Sequence, residues 1–227
     1  MEENMPQAGI HGIVGVTFRK WMPRKEWLLL GVVLGNLFPD LDNIAVAIAT
    51  VTKGSTEGLH RTFTHSLFTV IALVVLFYLA SLFAKDPKWE NFGIGFGAGM
   101  LMHIILDLFL WFNGVELFWP MKFELNFWSW FTMPGWLDII LKTGEFLAFG
   151  SFFLVLVALG KKQRTDEAYL PKLRIYAYIQ FALFALLSVM GSTMEKGFTT
   201  IYGVLYLLSL FFAIAITFRM RKSIETV

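Results

Sequence analysis

Long apolar runs alternate with short polar breaks along this chain, and the breaks mark out its elements. Runs at about 67–84, 92–112, 137–160, 173–193 and 198–218 each supply close to the roughly 20 residues that a helix needs to cross a bilayer. A further run, from Trp27 to about Val51, has the length but carries Asn36, Pro39, Asp40, Asp42 and Asn43. Proline removes a backbone donor and kinks a helix, and acids inside a membrane face a protein interior or a watery cavity. This span is therefore expected to break near Pro39 and turn its acids inward. Residues 8–18 are apolar but too short to span, and Arg19, Lys20, Arg24 and Lys25 follow them. They read as a half-length or re-entrant helix tied to one membrane face at its basic end. Polar residues at 53–58 form a loop and those at 85–88 a turn. Residues 113–136 mix prolines, glycines and tryptophans, which suits an irregular interfacial segment covering whatever lies beneath. The expected fold is all-α: a polytopic bundle of about six spans, a short N-terminal half-helix and an aromatic interfacial loop.

Composition agrees with lipid as the solvent. Hydrophobic residues make up 56% of the 227 and charged residues only 16%, against about 25% charged in soluble domains; mean hydropathy is +0.62. One membrane domain, 1–227, is the simplest division, with the unusual polar residues in 1–125 and a plain helical half in 126–227. The absence of cysteine excludes disulfides, thiolate metal sites and cysteine nucleophiles. A net charge of +2 gives no basis for nucleic acid binding. The first six residues, Met-Glu-Glu-Asn-Met-Pro, lack the basic start of a secretory signal. Basic residues cluster at 161–174 and 219–222, two loops separated by two spans. Excess Lys and Arg favours the cytoplasmic side, which puts both clusters, the 85–91 turn, the Arg19–Lys25 cluster and the C-terminus inside. Loops 52–66 and 113–136 then lie outside, in an integral protein of the plasma membrane.

Three of the four histidines fall in the apolar window between Pro39 and Asp107. His103 and Asp107 are four apart and share a helix face. Asp40 and Asp42 are two apart and converge only where the helix unwinds; His60 and His65 fit a loop followed by a first helical turn. For a common site the 60–65 segment must dip into the membrane. Imidazoles and carboxylates from separate segments suit zinc, and also manganese or iron. The candidate ligands outnumber those of one tetrahedral ion, and a two-metal centre would use them all. Arg61, between two histidines, suits a phosphate or carboxylate, or equally a lipid headgroup. Glu116 in the aromatic loop and Glu145 within a later span are further acids whose roles stay open. Gly95 and Gly99, like Gly93 and Gly97, have the small-xxx-small spacing of close helix contact. Gly93 to Ala98 fit a nucleotide loop only in its looser form, with no strand before it.

The order His11, Pro39-Asp40-Leu41-Asp42, His60-Arg61-Thr62-Phe63-Thr64-His65-Ser66, His103-x-x-x-Asp107, Gly114-Val115 and Trp119-Pro120 resembles the YdjM-like family of membrane-bound metal-dependent hydrolases. The likeness covers roughly the first 125 residues. It implies metal ligation by His11, Asp40, Asp42, His60, His65, His103 and Asp107. The pattern is also distantly similar to zinc-dependent phospholipase C, which implies phosphoester chemistry. The function expected is a membrane-embedded hydrolase holding one or two divalent ions, foremost zinc. Its substrate would be a lipid or lipid-linked phosphoester, with Asp40, Asp42 or Asp107 taking the proton and Arg61 stabilising the developing charge. Amide or ester hydrolysis suits the same ligands. So does ion or metal transport, although transporters often repeat their broken helices in both halves and here the polar residues crowd into the first half.

Overall fold

The computed structural model describes residues 8–112, 114–194 and 196–226. The expectations about the first six residues and Asn113 lie outside this set. Among the described residues, five helices are long and apolar enough to cross a membrane, and a bent pair makes a sixth candidate span. The all-α polytopic bundle is thus the fold.

The first helix, α1 (Ala8–Phe18), is the expected half-helix. The broken span follows as α2 (Leu28–Leu37), a 3-10 turn over Pro39–Asp42 and α3 (Asn43–Thr52), bent by 41° at the break. Pro39 cannot donate to the preceding turn, and the helix ends there. The remaining spans are α4 (Leu67–Ala84), α5 (Pro87–Leu110), α6 (Gly135–Gln163), α7 (Leu170–Thr193) and α8 (Phe198–Arg219), with a last turn α9 (Arg221–Glu225). The helices α3, α4 and α6 end on Lys53, Lys85 and Arg164 in the left-handed conformation, where a cation also meets the negative end of the helix dipole.

Every residue of α2 is buried, as expected of a helix apolar on all sides and enclosed by others. Equally apolar α4 exposes most of its surface and lies at the rim. The α2–α5 contact is close because both helices present glycine. A Cβ on Gly31 or Gly35 would overlap the backbone of Phe92 or Phe96, and one on Gly95 or Gly99 the carbonyls of Leu28 or Val32. The other predicted stripe, Gly93 and Gly97, accepts Phe77 and Val74 of α4. The helix α5 is therefore a two-sided ridge between α2 and α4. Between spans, Thr143 and Ser188 share a hydrogen bond of 2.9 Å and Ser209 donates to Gln180 at 3.1 Å, the polar links common between membrane helices.

The segment after α5 is not wholly irregular: β1 (Val115–Glu116) pairs antiparallel with β2 (Glu124–Leu125). It also ties down the histidine-bearing segment. Glu116 N donates to Arg61 O (3.0 Å), Leu67 N to Leu117 O (2.9 Å) and Ser66 Oγ to Trp119 O (3.1 Å). The basic clusters gather at one end. Arg19 is buried and donates to the carbonyls of Ser223, Ile224 and Thr226 at 3.3 Å. Glu26 meets Lys88 and Arg221, and Arg219 meets Asp166.

Candidate metal centre

Four segments deliver the site. His11 comes from α1, Asp40 and Asp42 from the 3-10 turn at the break, His60 to His65 from the loop before α4, and His103 with Asp107 from α5. The loop does dip inward. It needs a left-handed residue to do so, Arg61 at φ 59°, and closes with a 3-10 turn over Phe63–His65. Ser66 caps α4, its Oγ accepting from Phe68 N at 3.2 Å.

His11, His65 and His103 are fully buried, and Asp40 and Asp107 nearly so. The His65 and His103 Nε2 atoms lie 3.1 Å apart, and Asp107 Oδ2 stands 3.4 Å from the first and 3.7 Å from the second. Two ligands on one tetrahedral ion at about 2.0–2.1 Å are about 3.3 Å apart, so this triangle has the edges of a coordination tetrahedron. Among the described residues, two groups of side chains meet the spacing needed to hold a metal ion: His65, His103 and Asp107, and His11, Asp40 and His103. The second is built by stacking, with the His11 and His103 rings 3.7 Å apart at 22°.

Hydrogen bonds fix which nitrogens are free. His103 Nδ1 lies 2.8 Å from Asn36 O; a carbonyl only accepts, so Nδ1 carries the proton. Thr64 Oγ1 donates to Asp42 Oδ2 (2.9 Å) and accepts from His65 Nδ1 (3.0 Å). Both rings thus turn an Nε2 lone pair toward the other, an arrangement that needs a proton or a cation between them. Burial alone would lower the His65 imidazole, but the Asp107 and Asp42 carboxylates prevail and push it up to about 9.

Since His103 has a single free nitrogen, it serves one of the two groups at a time. Asp107 supplies the link: Oδ1 lies 3.0 Å from His11 Nε2 while Oδ2 faces His65 and Arg61 Nε, the latter at 3.2 Å. One carboxylate thereby joins both halves of the cluster.

Five of the seven expected ligands enter these groups. Asp42 and His60 instead form a pair beside them, with His60 Nδ1 2.6 Å from Asp42 Oδ1. Asp42 Oδ2 also accepts from Arg61 N at 3.0 Å. Asp40 and Asp42 therefore do not converge; the 3-10 turn sends one to the cluster and the other to the loop. Arg61 is buried against Asp107 rather than reaching a headgroup. Glu116 serves through its backbone. Asn36, Asn43 and Thr64 escaped the sequence reading as site residues; Asn43 Nδ2 donates to Asp40 O at 2.9 Å and holds the turn. Their signal, a small polar side chain beside an acid or histidine in an apolar run, was present but not specific.

Groups that orient metal ligands typically cost 10–100-fold in metal affinity when lost. Thr64→Val keeps the size of the side chain and removes both hydrogen bonds, so if the cluster holds zinc its affinity is expected to fall by roughly tenfold or more. Isothermal titration of metal-free protein with zinc checks this; an unchanged affinity would remove Thr64 from the site.

A family model described as YdjM inner membrane protein matches residues 7–189. No curated protein matches, nor does any solved structure. The match reaches past the motif-bearing first 125 residues into α7, and with the buried cluster in place the conclusion is plain: this chain belongs to the YdjM family of inner membrane proteins.

Proposed function

We propose that this chain is a membrane-embedded, metal-dependent hydrolase of phosphoester bonds, acting on a lipid or lipid-linked substrate at the outer leaflet. The observation that carries the reading is the pair of facing imidazole nitrogens with Asp107 beside them, at ligand spacing inside a lipid-facing bundle. His65, His103 and Asp107 would hold one ion, foremost zinc; His11 and Asp40, with Asp107 shared, would hold a second. A divalent cation held there supplies Lewis acidity toward a phosphoryl oxygen and lowers the pKa of water to near neutrality.

The chain's own residues divide the rest. Asp40 Oδ2 has no hydrogen-bond partner among the described residues, so Asp40 is our choice for accepting a proton from water. Asp42 is engaged on both oxygens and orients the loop that carries His65. Arg61, against Asp107 and beside the cluster, supports a role in offsetting charge that grows on phosphoryl oxygens. Burial excludes bulk water, which strengthens each of these interactions. The shared end of the basic clusters favours a cytoplasmic C-terminus in the plasma membrane.

Metal analysis of purified protein, then assay on phospholipids and p-nitrophenyl phosphate esters, tests the reading. A stoichiometric ion with turnover is expected; zinc flux into proteoliposomes without turnover would replace hydrolysis by transport. Chelation provides a second check. A ligand that binds only the folded state adds about 2.7 kcal/mol at a hundred times its Kd. Removing the ion should therefore lower the melting temperature, and re-addition of zinc restore it.

A further inference from the structure

One side chain of the second half of the chain is hydrogen-bonded to the helix that carries His11. Glu145, in α6, is fully buried, and its Oε1 accepts from Gly9 N at 2.7 Å. Gly9 belongs to α1, the helix that carries His11. This part of α1 sits inside the bundle: a Cβ on Gly9 would collide with the backbone of Ala148 and Phe149. His11 follows two residues later, stacked on His103 and 3.0 Å from Asp107.

The geometry points to Glu145 as the positioning residue that anchors α1 on α6 and so sets His11 in the centre. This rests on the metal-site reading above and extends it to the C-terminal half. Gly12 against Phe152 and Gly15 against α2 fix the side that α1 presents, and Glu145 holds the helix backbone at Gly9. It belongs to neither metal-binding group. Asp40 and the buried Tyr202 and Tyr206 lie within its electrostatic reach, so a role through charge is the rival to exclude.

Three variants separate the two. Glu145→Gln keeps an acceptor at full reach without the carboxyl group; Glu145→Asp keeps the carboxyl group but falls one methylene short; Glu145→Ala loses both. Hydrogen exchange over residues 8–12, in metal-free protein in detergent, reads the anchor directly. Exchange should speed up by about tenfold in the Ala and Asp variants, a change worth about 1.4 kcal/mol, and stay near wild type in Gln. Zinc titration should follow the same order, with about 10–100-fold weaker binding in Ala. Unchanged exchange in Glu145→Ala, or a Gln variant as impaired as Ala, overturns the proposal. If the wild type takes up no zinc, the hydrolase reading falls while the exchange result still decides the anchor.

Discussion

Asp107→Ala should lose zinc and hydrolysis together, by about a hundredfold or more, since even a supporting group at a metal costs 10–100-fold. Asp107 is the carboxylate that His11, Arg61 and His65 all face, at 3.0, 3.2 and 3.4 Å. Removing it breaks the buried pair with Arg61, and breaking a buried pair from one side costs about 3–5 kcal/mol. The variant is therefore expected to melt well below wild type, with no gain on adding zinc. Asp107→Asn keeps the shape and one acceptor for Arg61. It should recover part of the stability and little of the zinc binding, because an amide is a poor ligand for zinc. Thermal unfolding in detergent with and without zinc, beside metal analysis, separates the two losses. Full activity in Asp107→Ala would sink the centre as described.

The second large effect is expected at a contact between two backbones. Gly35→Leu puts a side chain where the backbone of Phe96 already lies. No rotamer relieves an overlap that begins at Cβ, so the helices must separate. Overpacking costs about 1–3 kcal/mol where a core can adjust, and this contact between two backbones has little room to adjust. A cost at or above the top of that range is expected. The site should suffer too, because Asn36, the next residue, orients His103 through its carbonyl. Gly203→Leu is the control: nothing lies within 4 Å of a Cβ there, so its melting temperature should stay near wild type. Equal effects at the two positions would mean that the α2–α5 contact does not carry the stability assigned to it.

Hydrophobic period and breakers were enough to read the spans, the half-helix and the break at Pro39, because lipid leaves the backbone few ways to satisfy its hydrogen bonds. The glycines of α5 were legible as a contact stripe, yet their partners Gly31 and Gly35 were not, since spacing on one helix does not say which helix it meets. Five of the expected ligands meet in space, a consequence of the loop dipping inward at Arg61. What local spacing could not reveal was the split between Asp40 and Asp42, which depends on how a 3-10 turn aims successive residues. Nor could it reveal the roles of Thr64 and Asn36, which act through a hydroxyl and a carbonyl that carry no motif. Glu145 stayed ambiguous for a related reason: its partner is a backbone amide of a distant glycine.

The break at Pro39 bears on how the protein is made. Its two acids sit midway along a span, and each carboxylate at a helix centre opposes entry into lipid by about 2.5–3.5 kcal/mol on biological insertion scales. The apolar residues of α2 are walled in by neighbours that emerge from the ribosome later, α5 foremost. Stable integration of this early segment is thereby tied to synthesis of its later companions, and the buried cluster closes only once α5 brings His103 and Asp107.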